Sequence, residues 1–422
     1  MPAPEALVLL IGSELTEGRL RDQNGFFLSQ ELTELGFFVR EVRLLPDEPS
    51  LLRAAFSEAL ATPARLLISS GGLGHTSDDL TADLWAEALG DVLQVSPALL
   101  AALEERFRQV GRTPLPYLER YARVPQRGEA LPNPVGLSPG LWWERGLRVI
   151  VALPGPPAEL RALWQEAVAP RLRDRFGARA PFTATLRTTG LPESRVSALL
   201  AEWEKRLPSA FRLAYNPSWE GVSLHLHAPA EIDPGLFEQQ VQELRRLLAP
   251  YLYGEGAVSL AEAILHLCRQ QGYTLATAES CTGGHLAASL VDVPGASEVF
   301  LGGVVSYANS AKETLLGVSA WTLADKGAVS EEVALQMAEG VRQRLGASVG
   351  VATTGIAGPT GGSPDKPVGT VWIAQVGPGA HRSAHRFIFP GDRQTIIQRA
   401  TAAALSLLWR GLRQTLPQTS EA

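Results

Sequence analysis

The stretch Thr274-Leu275-Ala276-Thr277-Ala278-Glu279-Ser280-Cys281-Thr282-Gly283-Gly284 decides how the last third of this chain is read. Tyr273 to Ala278 reads as a strand and His285 to Val291 as a helix, so Ser280 falls at a sharp strand-to-helix turn. A hydroxyl in that position stands over the free amides of a helix N-terminus. Such amides can hold a developing oxyanion or an anionic group of a substrate. Ser280 is therefore a candidate nucleophile, and Thr282, Gly283 and Gly284 are candidate ligand-binding backbone. The same residues also suit a plain N-cap and turn, because Ser and Thr cap helices and Gly-Gly makes turns. Cys281 is the rival nucleophile, but His285 lies one turn along the same helix at a poor angle to serve as its base. A packing role suits Cys281 better.

Working outward, the flanking segments alternate between helix and strand. Leu260 to Gln271, Ser310 to Leu316 and Glu331 to Leu345 read as helices, and Phe300 to Tyr307, Ser348 to Thr353 and Thr370 to Val376 as strands. Lys312 falls in the first turn of its helix, in the stretch Tyr307-Ala308-Asn309-Ser310-Ala311-Lys312. A lysine there meets the unfavourable end of the helix dipole, and burial would depress its pKa further. A neutral lysine can take the proton from a serine. The alternative is a solvated lysine on a helix face. Apart from Lys205, Lys312, Lys326 and Lys366 every strong base is Arg, and only Lys can deprotonate near neutral pH. The loop from Gly355 through Gly358, Gly361 and Gly362 to Gly369 is dense in glycine, so its amides can approach a ligand closely. With Lys366 it could grip a phosphate, and a loop this long is more often functional than a bare connection.

The first segment has a related grammar. Ala6 to Ile11, Phe37 to Leu45, Arg65 to Ser70 and Val149 to Leu153 read as strands separated by helices, which implies a doubly wound parallel sheet covered on both faces. Ligands of such sheets gather beyond the C-terminal strand ends. The loops there carry Gly12 and Glu14, then Asn24, then Asp47 and Glu48, then Gly71, Gly72, Gly74, Thr76, Asp78, Asp79 and Thr81. Carboxylates beside a glycine turn suit a Mg²⁺-bound diphosphate. They also suit helix starts and turns, which Asp favours without any ligand. Between the two larger segments, Pro181 to Gly254 reads as a small α+β module. Its His225 and His227 share one strand face. No third ligand lies nearby, so they read as a solvated face opposite Leu224 and Leu226. The expected organisation is an α/β chain of three domains, 1–177, 178–254 and 255–422.

Composition excludes several classes. The 45% hydrophobic content suits globular cores, but no run approaches the ~20 apolar residues of a membrane span. The start Met1-Pro2-Ala3-Pro4-Glu5 lacks the basic opening of a signal peptide. Cys268 and Cys281 alone cannot form a disulfide framework or a cysteine metal cluster. A cytoplasmic location is the expectation. A net charge of −6 argues against direct nucleic-acid binding.

Four ordered motifs then carry a resemblance over roughly Leu260 to Trp409: Thr277 to Gly284, Ser306 to Lys312, Gly355 to Gly369, and Pro390-Gly391-Asp392-Arg393. Together they resemble the nicotinamide-nucleotide amidase domain of the competence/damage-inducible protein CinA family, called PncC when it stands alone. The resemblance implies that Ser280 is the nucleophile, activated or oriented by Tyr307 and Lys312. It implies a cofactor-free release of ammonia from nicotinamide mononucleotide, with Arg393 joining the loop glycines and Lys366 at the substrate. Ile397 stands where family members often carry a basic residue.

The first segment looks like the N-terminal domain of the same family, itself related to the molybdopterin-binding fold. The matching residues are Ile11 to Leu15, Asp22 to Asn24, Gly71 to Gly74, Asp78 to Thr81 and Pro154 to Pro157. The resemblance implies hydrolysis of ADP-ribose to AMP and ribose 5-phosphate. A divalent metal, Mg²⁺ or similar, would be held by Asp47, Asp78 and Asp79, with Gly12, Glu14, Asn24, Gly71, Gly72, Gly74, Thr76 and Thr81 at the substrate. His75 stands where the pattern usually has Pro. A bifunctional homodimer acting on small nucleotides is the expectation. The alternatives are an amidase with a non-catalytic nucleotide- or pterin-binding module, and an accessory of DNA uptake.

Overall fold

The computed structural model describes residues 3–76, 78–109, 111, 113–177, 180–378 and 382–414. The chain divides into two compact units, Met1–Pro181 with Pro229–Glu231, and Phe182–Ala228 with Ile232–Ala422.

The first unit carries β1 (Glu5–Ile11), α1 (Asn24–Glu34), β2 (Phe38–Leu45), α2 (Pro49–Ala61), β3 (Leu66–Ser70), α3 (Thr81–Leu89), β4 (Gly128–Leu131), β5 (Gly140–Arg145) and β6 (Arg148–Leu153). The six strands lie in the order β2-β1-β3-β6-β5-β4. A strand in the middle of a covered sheet is apolar on both faces, and β1 shows this directly. Ala6, Val8 and Leu10 pack with Leu28 and Leu32 on one side, whereas Leu7, Leu9 and Ile11 pack with Phe56 and Trp85 on the other. The sheet is not parallel throughout. β1, β2, β3 and β6 are parallel, but β5 runs antiparallel to both β6 and β4. Only Gly146-Leu147 separates β5 from β6, and Gly146 takes φ +61°. So short a return permits a hairpin and cannot hold the crossover that a parallel pair needs.

The second unit holds two sheets. The first contains β7 (Phe182–Thr188), β8 (Arg212–Pro217), β9 (Val222–Ala228) and β10 (Leu252–Glu255) in the antiparallel order β8-β9-β7-β10. Helices α4 (Glu193–Glu204) and α5 (Pro234–Leu248) supply its core partners. Helix α5 stops at Leu248, because Pro250 bars its continuation and the chain turns into β10. Leu224 and Leu226 are buried, and His225 and His227 are half-buried on the other face, with His225 Nδ1 3.1 Å from Thr185 Oγ1. Burial pushes both imidazoles below their usual pKa.

The second sheet follows α6 (Leu260–Gln271). It is built from β11 (Leu275–Glu279), β12 (Phe300–Val305), β13 (Val349–Gly355), β14 (Thr370–Val376) and β15 (Arg382–Ile388), in the order β12-β11-β13-β14-β15. The helices are α7 (His285–Val291), α8 (Asn309–Leu316), α9 (Ala320–Lys326), α10 (Glu331–Leu345) and α11 (Arg393–Gln414). β11 lies parallel between β12 and β13, and α6 and α11 cover one face while α10 covers the other. Gly340 of α10 touches the backbone of Leu316; a Cβ there would run into the Leu316 carbonyl oxygen and push α8 away. This close approach sets the depth at which Lys312 is buried. Among the described residues, no helix is long and apolar enough to cross a membrane.

Candidate active sites

The C-terminal ends of β11, β12 and β13 converge on Ser280. Its amide donates to the Thr353 carbonyl at 3.0 Å, and the Ser306 amide donates to the Glu279 carbonyl at 2.8 Å. The peptide that joins Glu279 to Ser280 is thereby held from both sides. Lys312 Nζ lies 3.1 Å from Ser280 Oγ, 2.8 Å from the Ser306 carbonyl and 3.2 Å from the Tyr307 carbonyl. Its side chain is 1% exposed, and among the described residues it forms no ion pair. Burial therefore pushes its pKa down, against a weaker pull upward from Cys281. The three oxygens fit a neutral amine well. As an ammonium, Lys312 would donate to all three; as a neutral amine it can keep the two carbonyls and turn its lone pair to the Ser280 proton.

The amides at the start of α7 are not free, as the sequence had suggested. Glu279 Oε2 accepts from Gly284 N and Leu286 N, and Glu279 Oε1 from Ala287 N. Thr282 Oγ1 is buried between Glu279 Oε2 and Thr353 Oγ1, each 2.7 Å away. The expected ligand groups Thr282, Gly283 and Gly284 instead build the turn. Glu279, quoted in the motif, was missed as a functional group; its signal was a carboxylate directly before the turn. Cys281 is 5% exposed and its thiol is pushed up to about 12 by burial. His285 Nδ1 meets the Thr282 carbonyl at 2.7 Å, so no thiolate–imidazole pair forms.

Ser280, Tyr307, Lys312, Gly355 and Arg393 line one cavity of about 490 Å³, together with Asn309 and Thr354, which sequence reasoning passed over. The Tyr307 hydroxyl accepts a hydrogen bond from Arg393 Nη2 at 3.0 Å; what Tyr307 offers Lys312 is its carbonyl. Arg393 Nη1 also donates to the Gly358 carbonyl at 2.9 Å, tying the glycine loop to the cavity mouth. Gly358, Gly361, Gly362 and Lys366 do not line this cavity. The Lys366 ammonium is turned away onto the Lys326 carbonyl, 2.8 Å distant. A neighbouring cavity of about 840 Å³ shares Arg393 and is lined by His285, Gln394, Ile397 and Gln398.

In the first unit, Asn24 Nδ2 donates to Ser70 Oγ at 3.0 Å and to the Gly155 carbonyl at 2.7 Å, joining the start of α1 to the ends of β3 and β6. Among the described residues, Asn24 Oδ1 and Thr81 Oγ1 are buried without a hydrogen-bond partner. Gly71 (φ +107°) passes so near Ile11 that a Cβ would strike its carbonyl oxygen, and a Cβ on Gly72 would fill the space before Thr81 Oγ1. Glu14 folds its carboxylate against Gly12. Asp47 Oδ2 accepts from Ser13 N at 2.7 Å, and Asp79 Oδ2 from Thr76 N at 2.9 Å and Thr76 Oγ1 at 2.6 Å. Asp78 is exposed. Among the described residues no three His, Cys, Asp or Glu side chains gather as a metal cluster. An ion shared between one or two carboxylates and a diphosphate needs no such cluster. A small cleft is lined by Gly72, Gly74 and Asp79, and by Arg120, Tyr121 and Arg123, which sequence reasoning missed. His75 stacks on Tyr117 with ring centroids 3.9 Å apart, and its Nδ1 lies 2.8 Å from Tyr121 Oη. Its ring thus braces the glycine turn against the helix Leu118–Tyr121.

The domains have recognisable counterparts. Residues 257–412 match the family model "CinA C-terminal domain", and residues 7–174 match "Probable molybdopterin binding domain". A CinA-like protein from Gloeobacter violaceus is 41% identical over 415 residues, covering 97% of this chain and 96% of that protein. One from Salinibacter ruber is 40% identical over 404 residues, covering 95% and 98%. The crystal structure of the competence/damage inducible protein CihA from Agrobacterium tumefaciens is 42% identical, with a TM-score of 0.35, covering 35% of this chain and 91% of that one. With two domain matches in order and relatives alike along nearly the whole length, the chain belongs to the CinA family.

Proposed function

We propose that this chain recycles pyridine nucleotides with two hydrolytic activities, a serine amidase in the second unit and a diphosphate hydrolase in the first. The amidase reading is carried by one observation, a buried lysine with no ion-pair partner 3.1 Å from a serine at a strand end. In this reading neutral Lys312 accepts the Ser280 proton as Oγ attacks the carboxamide carbon of nicotinamide mononucleotide. The C–N bond then breaks, the proton passes from Lys312 to the departing nitrogen, and ammonia leaves. Water hydrolyses the resulting ester, giving nicotinate mononucleotide and restoring Ser280. The Cys281 amide, one residue past the nucleophile and unused by the backbone hydrogen bonds of the turn, is the candidate donor for the oxyanion. Arg393, shared by both cavities, suits the nucleotide phosphate. Incubating the purified chain with nicotinamide mononucleotide and following ammonia tests this; absence of release overturns it.

For the first unit, the two unpartnered buried oxygens and the glycine cradle support a polar ligand at the strand ends. ADP-ribose, cleaved to AMP and ribose 5-phosphate, fits a site of this kind. Asp47, Asp78 and Asp79 do not gather as one cluster among the described residues, and Asp79, which lines the cleft with Gly72 and Gly74, is the carboxylate that would share a divalent cation with the diphosphate, neutralising its oxygens. Because Asp47 and Asp79 already brace their loops, a module that binds nucleotide without cleaving it is the second reading. AMP release from ADP-ribose separates the two.

A further inference from the structure

Glu279 is the last residue of β11 and is 1% exposed, yet among the described residues it forms no ion pair. Its carboxylate accepts four hydrogen bonds: Thr282 Oγ1 at 2.7 Å, Gly284 N at 2.9 Å, Leu286 N at 3.1 Å and Ala287 N at 2.8 Å. A buried charge is costly unless such bonds surround it. Three of these donors are amides left free where α7 begins, and they present the positive end of its peptide dipoles. An ordinary cap is a short side chain bonding two or three residues ahead. Here a longer side chain reaches from the strand across the turn and gathers donors from 282 to 287 onto one group.

The geometry encloses the nucleophile. Ser280 directly follows Glu279, and the chain returns through Thr282 and Gly284 to the same carboxylate. The Glu279 carbonyl is fixed by Ser306 N, and the Ser306 carbonyl in turn holds Lys312 Nζ at 2.8 Å. One residue thus ties together the turn bearing Ser280 and the strand end that carries the partner of Lys312. We propose that Glu279 is a positioning residue: its buried carboxylate closes the 279–287 turn and keeps Ser280 Oγ within reach of Lys312. This rests on the reading of Ser280 as the nucleophile.

The test uses the full chain and a fluorophosphonate that labels reactive serines, with the second-order rate constant read for wild type, Glu279→Gln and Glu279→Asp. Gln keeps the shape but turns an NH₂ toward a donor; Asp keeps the charge but withdraws it by one methylene. Displacing a reacting group by about 1 Å can cost ~10²-fold, so labelling should slow by about tenfold in Gln and further in Asp. The midpoint of its pH dependence should stay in place, because Lys312 is untouched. A role confined to stability would lower the melting temperature and the labelled fraction but leave the rate constant of folded protein unchanged. Equal rate constants in wild type and variants overturn the proposal, as does a shifted pH midpoint, which would mean that Glu279 acts through charge on Lys312. Should the Gln variant fail to fold, the Asp variant carries the same comparison. Absence of label on Ser280 in the wild type overturns the nucleophile reading, and the proposal falls with it.

Discussion

The two candidate sites stand at the same place in their sheets, beyond the C-terminal ends of parallel strands, but they treat their polar groups in opposite ways. Around Ser280 the ionisable side chains are matched, Lys312 by three oxygen partners and Glu279 by four donors, although Ser306 Oγ is buried there without a partner among the described residues. Around Gly71 and Gly72, Asn24 Oδ1 and Thr81 Oγ1 are buried with none. A buried polar atom without a partner costs about 1–3 kcal/mol, which a ligand can repay. On the proposed function, the first arrangement serves as a reacting pair and the second as a binding site for a polar ligand.

The largest expected effect breaks the reacting pair. Ser280→Ala should lower ammonia release by about three orders of magnitude or more while nucleotide binding measured by calorimetry persists, since the cavity walls are untouched. Full activity in that variant, with Cys281→Ala inactive, would replace the serine by a thiol.

Next comes the state of Lys312. Burial lowers its pKa, and in the proposed mechanism the neutral form is the active one, so the rate should rise with pH through that lowered value and then level off. Lys312→Arg keeps the charge but cannot deprotonate, and should be nearly as slow as Lys312→Ala. An active arginine variant would show that the position supplies charge only.

The metal sharpens the contrast between the units. EDTA should abolish AMP release and leave ammonia release unchanged, and Asp79→Asn should imitate it. AMP release that persists in EDTA would remove the carboxylates from the chemistry.

Thr81→Val tests that binding site through opposed signs. Replacing a partnerless hydroxyl by a methyl should leave the melting temperature unchanged or raise it, by up to about 1 kcal/mol of stability. Nucleotide binding to the first unit should weaken about tenfold, because a ligand hydrogen bond is lost. A fall in stability without a fall in binding would make Thr81 an ordinary core residue. The smallest effect belongs to Cys281→Ala, which should retain amidase activity within about threefold, because a buried thiol pushed up to about 12 contributes packing rather than attack.

Much of this was legible in local patterns. The strand before Ser280, the helix Glu331–Leu345 and the first-turn position of Lys312 follow from periodicity and turn chemistry over a few residues. The glycines at 71 and 72 announce close backbone approach for the same reason. What lay beyond the sequence were contacts between distant segments. The depth of Lys312 depends on Gly340, twenty-eight positions on, letting α8 lie against α10. The N–H groups at the start of α7 look free on paper, and only the folded turn reveals that Glu279 has taken them. Lys366 stands in a loop made for anions, yet tertiary packing carries its ammonium to the Lys326 carbonyl. Local sequence determines which backbone shapes are accessible and which side chains stand near one another along an element, because those terms act over one or two turns. Burial, the partner each polar atom finds and hence its proton affinity depend on groups brought together by the whole fold, so only the tertiary structure decided them.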